Sequence, residues 1–303
     1  MSLLVVGSVA FDDLESPFGR MENVLGGSAS YFSLSASRYA EVRVVAVVGE
    51  DFGPEQFKVF ENRPIDLGGL VQAKGRTFRW KGAYGWDLNE AQTLDTQLNV
   101  FADFHPVLPQ DWRTSSFLFL GNIHPSLQLD VVHQMIERPK WVALDTMNYW
   151  IKDYREELGR VLKEVDILLV NESEARALTH EHNLIKAYQK IRTYGPSILV
   201  IKRGEYGVML FTPDGIFAAP AYPLEDVFDP TGAGDTFAGG FLGSLVAQGE
   251  ITAQGLKKAV LAGSVLASFT VQEFGTSCLQ TVTDKDIADR MRGFSDMIRV
   301  DGL

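Results

Sequence analysis

The sequence predicts an α/β chain: a mostly parallel central sheet, helices on both of its faces, and one small β excursion. Three observations carry this. Short, nearly unbroken apolar runs recur along the chain, amphipathic stretches separate them, and one glycine- and aromatic-rich region breaks the alternation. Apolar runs without polar alternation read as strands buried on both faces, the pattern of a parallel sheet covered by crossover helices. The 303 residues are enough chain for one such domain spanning residues 1–303.

The elements follow in order. Residues 3–6 form the first strand. Helical spacing predicts a helix over 28–39, introduced by Gly26-Gly27-Ser28, and residues 42–48 form the next strand. Further strands are expected at 117–120, 141–144, 167–170 and 198–201, with helices between them at 127–136, 154–163 and 185–194. A late helix opens at Asp235, where Phe237, Phe241, Leu242, Leu245 and Val246 recur at helical spacing. Between 68 and 104, Gly68, Gly69, Gly75, Gly82 and Gly85 flank the aromatics Phe78, Trp80, Tyr84 and Trp86. This reads as a small β unit, joined by the segment 12–24. Such a unit is a lid over a site, a contact between two copies of the chain, or both. Its four aromatics share one face if the strands pair without a bulge.

Charge and cysteine content exclude several functions. With 28 basic and 39 acidic residues the net charge is −11, which argues against a nucleic-acid or anionic-membrane surface. Cys278 is the only cysteine, so neither an internal disulfide nor a thiolate metal cluster can form. The apolar start is too short for a signal peptide, Asp12 and Asp13 interrupt it, and no run reaches membrane-span length. A cytoplasmic location is the expectation.

Chemistry concentrates where strands end. Residues 229–235 read Asp-Pro-Thr-Gly-Ala-Gly-Asp. Small residues before a helix start leave bare N–H groups for an anion. A carboxylate beside them repels an anion, so a structural protein gains little from the pairing, whereas phosphoryl transfer needs both the base and the anion donors. The same Asp235 would also serve as a plain helix cap. Asn171 and Glu174 follow the strand 167–170 and suit either a hard cation such as Mg²⁺ or a capped helix start. Lys202 and Gly204 follow the strand 198–201 and read as a phosphate contact or a turn. Gly26 and Gly27 let a ligand approach the backbone. Asp12 can accept two hydrogen bonds from a diol.

In this order the segments 7–12, 26–27, 48–53, 171–174, 202–204 and 229–235 resemble the PfkB family of carbohydrate kinases, the ribokinase-like kinases. The likeness covers nearly the whole chain, and the 229–235 signature is its most specific part. It implies a three-layer ribokinase-like fold with a β lid, and ATP-dependent phosphorylation of a hydroxyl, a primary one on a sugar or sugar-like acceptor. A nucleoside kinase of the same family is the alternative, with Phe78, Trp80 or Tyr84 stacking on a base. A sugar- or nucleotide-binding regulator without turnover stands behind both.

The resemblance also implies roles. Asp235 is similar to the family's base, and Gly232, Ala233 and Gly234 to its anion hole. Asn171 and Glu174 match the Mg²⁺-organising pair, and Lys202 and Gly204 the ATP-side contacts. Asp12, Gly26, Gly27 and Asn122 fall where acceptor hydroxyls bind. Asp229, Thr231 and Gly275 fall where some members bind K⁺. The implied partners are ATP and a small-molecule acceptor, with a homodimer through the lid. The chain departs from the family pattern at Pro230, where little effect is expected because the turn's contacts are mainly backbone, and at Ala10 and over 145–150, which points away from a simple ribose or fructose acceptor.

Overall fold

The computed structural model describes residues 2–89 and 91–299. The outermost residues of the expected 1–303 domain, and Glu90 within the expected 68–104 segment, lie outside the described residues. The chain begins with strands β1 (Ser2–Val6), β2 (Ala10–Ser16) and β3 (Gly19–Gly26). Helix α1 (Ser28–Ala36), β4 (Glu41–Val48), α2 (Pro54–Lys58) and β5 (Ile65–Gln72) follow. Next come β6 (Phe78–Tyr84), β7 (Ala91–Gln97), β8 (Phe117–Leu120), α3 (Pro125–Gln134) and β9 (Trp141–Asp145). Then α4 (Asn148–Asp153), α5 (Arg155–Leu162), β10 (Ile167–Asn171), α6 (Glu172–Thr179), α7 (Leu184–Arg192) and β11 (Ile198–Lys202) complete the alternation. The hairpin β12 (Val208–Thr212) and β13 (Gly215–Ala219) precedes four helices: α8 (Ala233–Gln248), α9 (Ala253–Thr270), α10 (Ser277–Thr281) and α11 (Asp284–Ile298).

Nine strands form the main sheet in the order β13-β12-β11-β10-β9-β8-β1-β4-β5. All neighbours run parallel except at β12, which is antiparallel to both β11 and β13. Strand alternation sends Val5, Phe119 and Leu169 to one face and Leu4, Leu118 and Leu168 to the other. The first face packs under α1, α8 and α9, where Phe32 stacks on Phe119 with ring centroids 4.1 Å apart. The second packs under α3, α5 and α7 through Val131, Leu158 and Ile191. Both faces are therefore apolar, which is why the strand sequences carry no polar alternation. The α/β fold read from the sequence is the fold observed. Among the described residues no helix is long and apolar enough to cross a membrane.

The chain leaves β1 for β4 on one side and later returns to β8 on the other. This reversal opens a crevice at the carboxyl ends of β1 and β8, where ligands bind in open α/β sheets. A second sheet, in the order β3-β2-β6-β7, stands over that end. It holds the expected excursion with corrected limits. Residues 68–72 belong instead to β5 on the main sheet, where Gly69 pairs with Val45. A side chain at Gly69 would press on the Trp112 ring, so the glycine that suggested a loop is there for packing. A register shift breaks the β6–β7 ladder between Lys81 and Gly82, and its extra residue, Leu94, lies on β7. Strand β6 stays regular against β2, where Asp12 pairs with Trp80 and Leu14 with Gly82. Phe78, Trp80 and Tyr84 thus keep one face. Trp86 lies past the strand, exposed, with its ring edge-on to Phe18.

Helices α1 and α8 approach closely because α8 turns glycines toward α1. A methyl group at Gly239 would overlap the Phe32 carbonyl oxygen, and one at Gly243 would stand 2.8 Å from the Ala36 carbonyl oxygen. Gly239→Ala should therefore lower stability by about 1–3 kcal/mol through overpacking. Urea unfolding measures this, and a variant as stable as wild type would show that the two helices are free to move apart.

Candidate active site

The turn into α8 depends on Gly232. It takes a left-handed conformation (φ +73°), and a side chain there would overlap the ring of Tyr31 on α1. Both facts call for glycine. The Ala233 N–H donates back to the Pro230 carbonyl (3.1 Å), and the Thr236 N–H to the Gly232 carbonyl (2.8 Å). Among the described residues the N–H groups of Gly234 and Asp235 have no such backbone acceptor, and they lie in the first turn of a 16-residue helix, at its positive end. Of the expected trio Gly232, Ala233 and Gly234, the Ala233 N–H is bonded inside the turn.

Lys202, the last residue of β11, closes the other side. Its Nζ would lie 3.0 Å from a Cβ placed on Gly234, and it bonds Asp145 Oδ2 at 3.0 Å. Burial alone would lower the Lys202 pKa. Asp145, Glu174 and Asp235 outweigh that and raise it, so the ammonium stays charged. Asp235 is pushed up to about 7, first by burial and then by Asp145, against the pull of Lys202. Glu174 also rises to about 7, mainly through burial. Asn171 caps α6. Its Oδ1 accepts from the Glu174 N–H (2.8 Å) and its own N–H donates to Glu174 Oε2 (2.7 Å), a reciprocal capping box. Asn171 thereby fixes the Glu174 carboxylate next to Lys202. Among the described residues no three acidic, histidine or cysteine side chains gather into a protein-only metal site.

Asp12 is buried in β2, directly against Gly26, where any side chain would overlap its carboxylate. Its pKa climbs to about 8 through burial, then through Asp229, Asp235 and Asp13, while the Gly27 N–H pulls it down. Gly27 has φ +91° and caps α1, and its own close neighbour is the Ser8 carbonyl. Asp229 is clamped on both oxygens, by the Thr231 N–H and the Gly275 N–H, each at 2.9 Å. The Thr231 hydroxyl donates to Tyr84 Oη on the second sheet (3.1 Å). Asn122 is the outlier: its Oδ1 accepts from Trp150 Nε1 (2.8 Å) and its amide lies 3.2 Å from the Met147 sulfur. It is held by α4 and is not joined to the carboxylates. Gly204 (φ +54°) lies under the Asn89 side chain, so the β6–β7 turn reaches the loop after Lys202.

Two site residues escaped the sequence reading. Asp145 is a polar residue at the carboxyl end of a buried strand, the same signal that marked Asn171 and Lys202. Tyr31 sits in a helix buried on every side and looked like core.

The pattern of the pfkB family of carbohydrate kinases matches residues 4–282. The chain is 30% identical over 249 residues to a cytidine kinase of Thermococcus kodakarensis, an alignment covering 80% of this chain and 87% of that one. It is 25% identical over 289 residues to an inositol 3-kinase of Arabidopsis thaliana, covering 90% of this chain and 74% of that one. A candidate ribokinase II of E. coli, solved with ATP and Mg²⁺, has the same fold at TM-score 0.80 and 16% identity, with 96% of this chain and 99% of that one covered.

The raised carboxyls set a pH dependence of stability. An ordinary carboxyl titrates near pH 4. Between there and about pH 7 the folded chain keeps protons on Asp12, Asp235 and Glu174 that the unfolded chain has released. The folded state binds more protons, so these groups lower stability as pH rises. Asp12→Asn should then raise Tm at pH 8 by about 2 °C or more in the ligand-free protein. The gain should shrink at pH 5, where Asp12 is already neutral. A lower Tm at pH 8 would contradict this account.

Proposed function

The chain belongs to the pfkB family of carbohydrate kinases, and we propose that it transfers the γ-phosphoryl group of ATP to the primary 5′-hydroxyl of a nucleoside. One observation carries the choice of acceptor. Asp12 and Trp80 are partners in the parallel β2–β6 ladder, so a carboxylate suited to a ribose diol and a large flat ring share one face. That face is turned to the site, because Asp12 feels Asp235 and Tyr84 bonds Thr231. Gly82 leaves room for the Trp80 ring, whose N–H donates to Thr93 Oγ1 (3.2 Å). Stacking on a base is worth about 1–3 kcal/mol, which a sugar lacking a base does not collect. The likeness to a cytidine kinase supports the same reading. A cyclic polyol or sugar is the second reading, favoured by the likeness to an inositol kinase.

Asp235 takes the acceptor's hydroxyl proton as the oxygen bonds the γ-phosphorus and the bond to the β-phosphate oxygen breaks, releasing ADP. The Gly234 and Asp235 N–H groups and Lys202 hold the charge on the transferred oxygens. Lys202 shares its charge between Asp145 and phosphate, and Gly204 lies on the nucleotide side. Mg²⁺ entering with ATP would offset phosphate charge. The lone Glu174 carboxylate, steadied by Asn171, fits an ion that keeps most of its water. Asp229, Thr231 and Gly275 fit a K⁺ ion behind the turn, because two carboxylate lone pairs stay open beyond the clamp. The second sheet serves as the lid: Tyr84 reaches Thr231, and Phe18 packs edge-on to Phe228 with centroids 5.8 Å apart. Its edge strand β7 is exposed throughout, which suits a homodimer contact.

Two experiments test the reading. Asp235→Asn should lower kcat by about 10²–10⁴ while still binding ATP. In wild type kcat should rise with pH through about 7 as Asp235 ionises, and the variant should lose that limb. Activity within threefold of wild type would remove Asp235 as the base. Trp80→Ala should raise KM for cytidine at least about tenfold, one stacking contact's worth, with little change for ribose or myo-inositol. An unchanged KM for cytidine would exclude base stacking by Trp80, and with it the nucleoside reading.

A further inference from the structure

The small sheet meets the main domain at two roots. At the first, β1 runs into β2 through residues 7–9, and β3 runs into α1 through Gly27. At the second, β6 arises from residues 73–77 after β5, and β7 leaves through 98–99. This second root rests on the loop that follows β4. Asp51 Oδ1 accepts both the Thr77 N–H (2.7 Å) and the Thr77 hydroxyl (2.6 Å). The Thr77 hydroxyl oxygen in turn accepts the Gly49 N–H (3.0 Å). The Glu50 N–H donates to the Gly75 carbonyl (2.8 Å), and Glu50 Oε2 accepts from the Gly75 N–H (3.3 Å). The two backbones touch, because a Cβ on Gly49 would lie 2.4 Å from the Gly75 oxygen and the Thr77 nitrogen. Thr77 is fully buried, and its carbonyl accepts from Asn99 Nδ2 (2.9 Å), so the exit from β7 is tied to the same residue.

We infer that Asp51 is a positioning residue for the acceptor: through Thr77 it pins the second root of the small sheet and sets where β6 stands over the strand ends. The inference rests on the proposed acceptor site beneath that sheet and holds for a nucleoside or a polyol. A carboxylate makes stronger hydrogen bonds than a neutral acceptor, and here one oxygen takes two of them from a single residue. Short connections between packed units are where hinge motion is absorbed, and this connection is locked by side chains from the main domain. Strands β2 and β6 pair over 10–15, so the root of β6 also fixes the strand that carries Asp12. Trp80 lies three residues beyond Thr77 and is the first site-facing ring to feel a displacement of the root.

The test removes the clamp from either side and then restores it. Asp51→Ala and Thr77→Val delete its hydrogen bonds, and Thr77→Ser returns the hydroxyl. Steady-state kinetics are measured with cytidine, ribose and myo-inositol, and urea unfolding follows the stability of each variant. Asp51→Ala and Thr77→Val should each raise KM for the acceptor that wild type turns over about three- to tenfold, the worth of one hydrogen bond. KM for ATP should stay unchanged, and Thr77→Ser should stay close to wild type. With cytidine, the same substitutions placed in the Trp80→Ala variant should add less than about twofold, because a ring already absent cannot be displaced. Lower stability with an unchanged acceptor KM overturns the assignment, since the clamp then serves only the fold. An equal rise in KM for ATP and acceptor overturns it too, as does full addition of the penalty to that of Trp80→Ala. If Trp80→Ala alone is silent with cytidine, or wild type turns over only ribose or myo-inositol, the nucleoside reading falls. Asp51 is then judged by the acceptor KM and the Thr77→Ser rescue.

Discussion

One buried ammonium holds the site together. Asp12, Asp145, Glu174, Asp229 and Asp235 crowd the carboxyl ends of the strands, and Lys202 is the cation that reaches into them. A carboxylate taken out of water without compensation gains a proton, and three of these have pKa values raised to 7 or above. Lys202 bonds Asp145 and draws down Glu174 and Asp235, so those two stay close to neutrality and can ionise near physiological pH. Asp229 is balanced differently, by two backbone N–H groups. The arrangement is costly for a folded chain at rest and suits a site that receives a polyphosphate and its cations.

The fold is built to bring those charges to one place. Lys202, Asn171 and Asp145 end adjacent parallel strands, so their separation is set by the strand spacing. Asp235 comes from a helix on one face of the sheet, and the glycines of that helix let α1 pack close enough for Tyr31 to meet Gly232. The second sheet closes the arrangement from above. Its contacts, Tyr84 to Thr231 and Phe18 to Phe228, fall on the loop that carries Asp229. A movement of that sheet is therefore felt at the turn into α8, which fits its proposed use as a lid.

Several residues were legible because their signal is local. The strand runs are apolar on both faces whatever packs on them. The 229–235 turn, with its small residues and a carboxylate at a helix start, has a meaning that needs no neighbour. Asn171 carried two readings, cap and cation ligand. The structure shows the cap, and the cap aims Glu174. Asp145 and Tyr31 were not found because what marks them is non-local. One is defined by an ammonium 57 residues away, the other by the turn at Gly232 that its ring meets, in a helix that reads as pure core. Gly68 and Gly69 misled for a related reason: a glycine in a strand and one in a loop look alike until the Trp112 ring is in place.

The sequence by itself determined the α/β alternation, the parallel sheet, the small β unit and the small-residue turn into a helix at 229–235, since each follows from side-chain periodicity or from a contiguous motif. Only the tertiary structure decided which carboxylates share one cation, which face of β6 looks into the site, and where the second sheet begins and ends. Those depend on strand register and on the close approach of α1 and α8. Both are set by pairs of residues far apart in the chain, whose fit is fixed only when the layers pack.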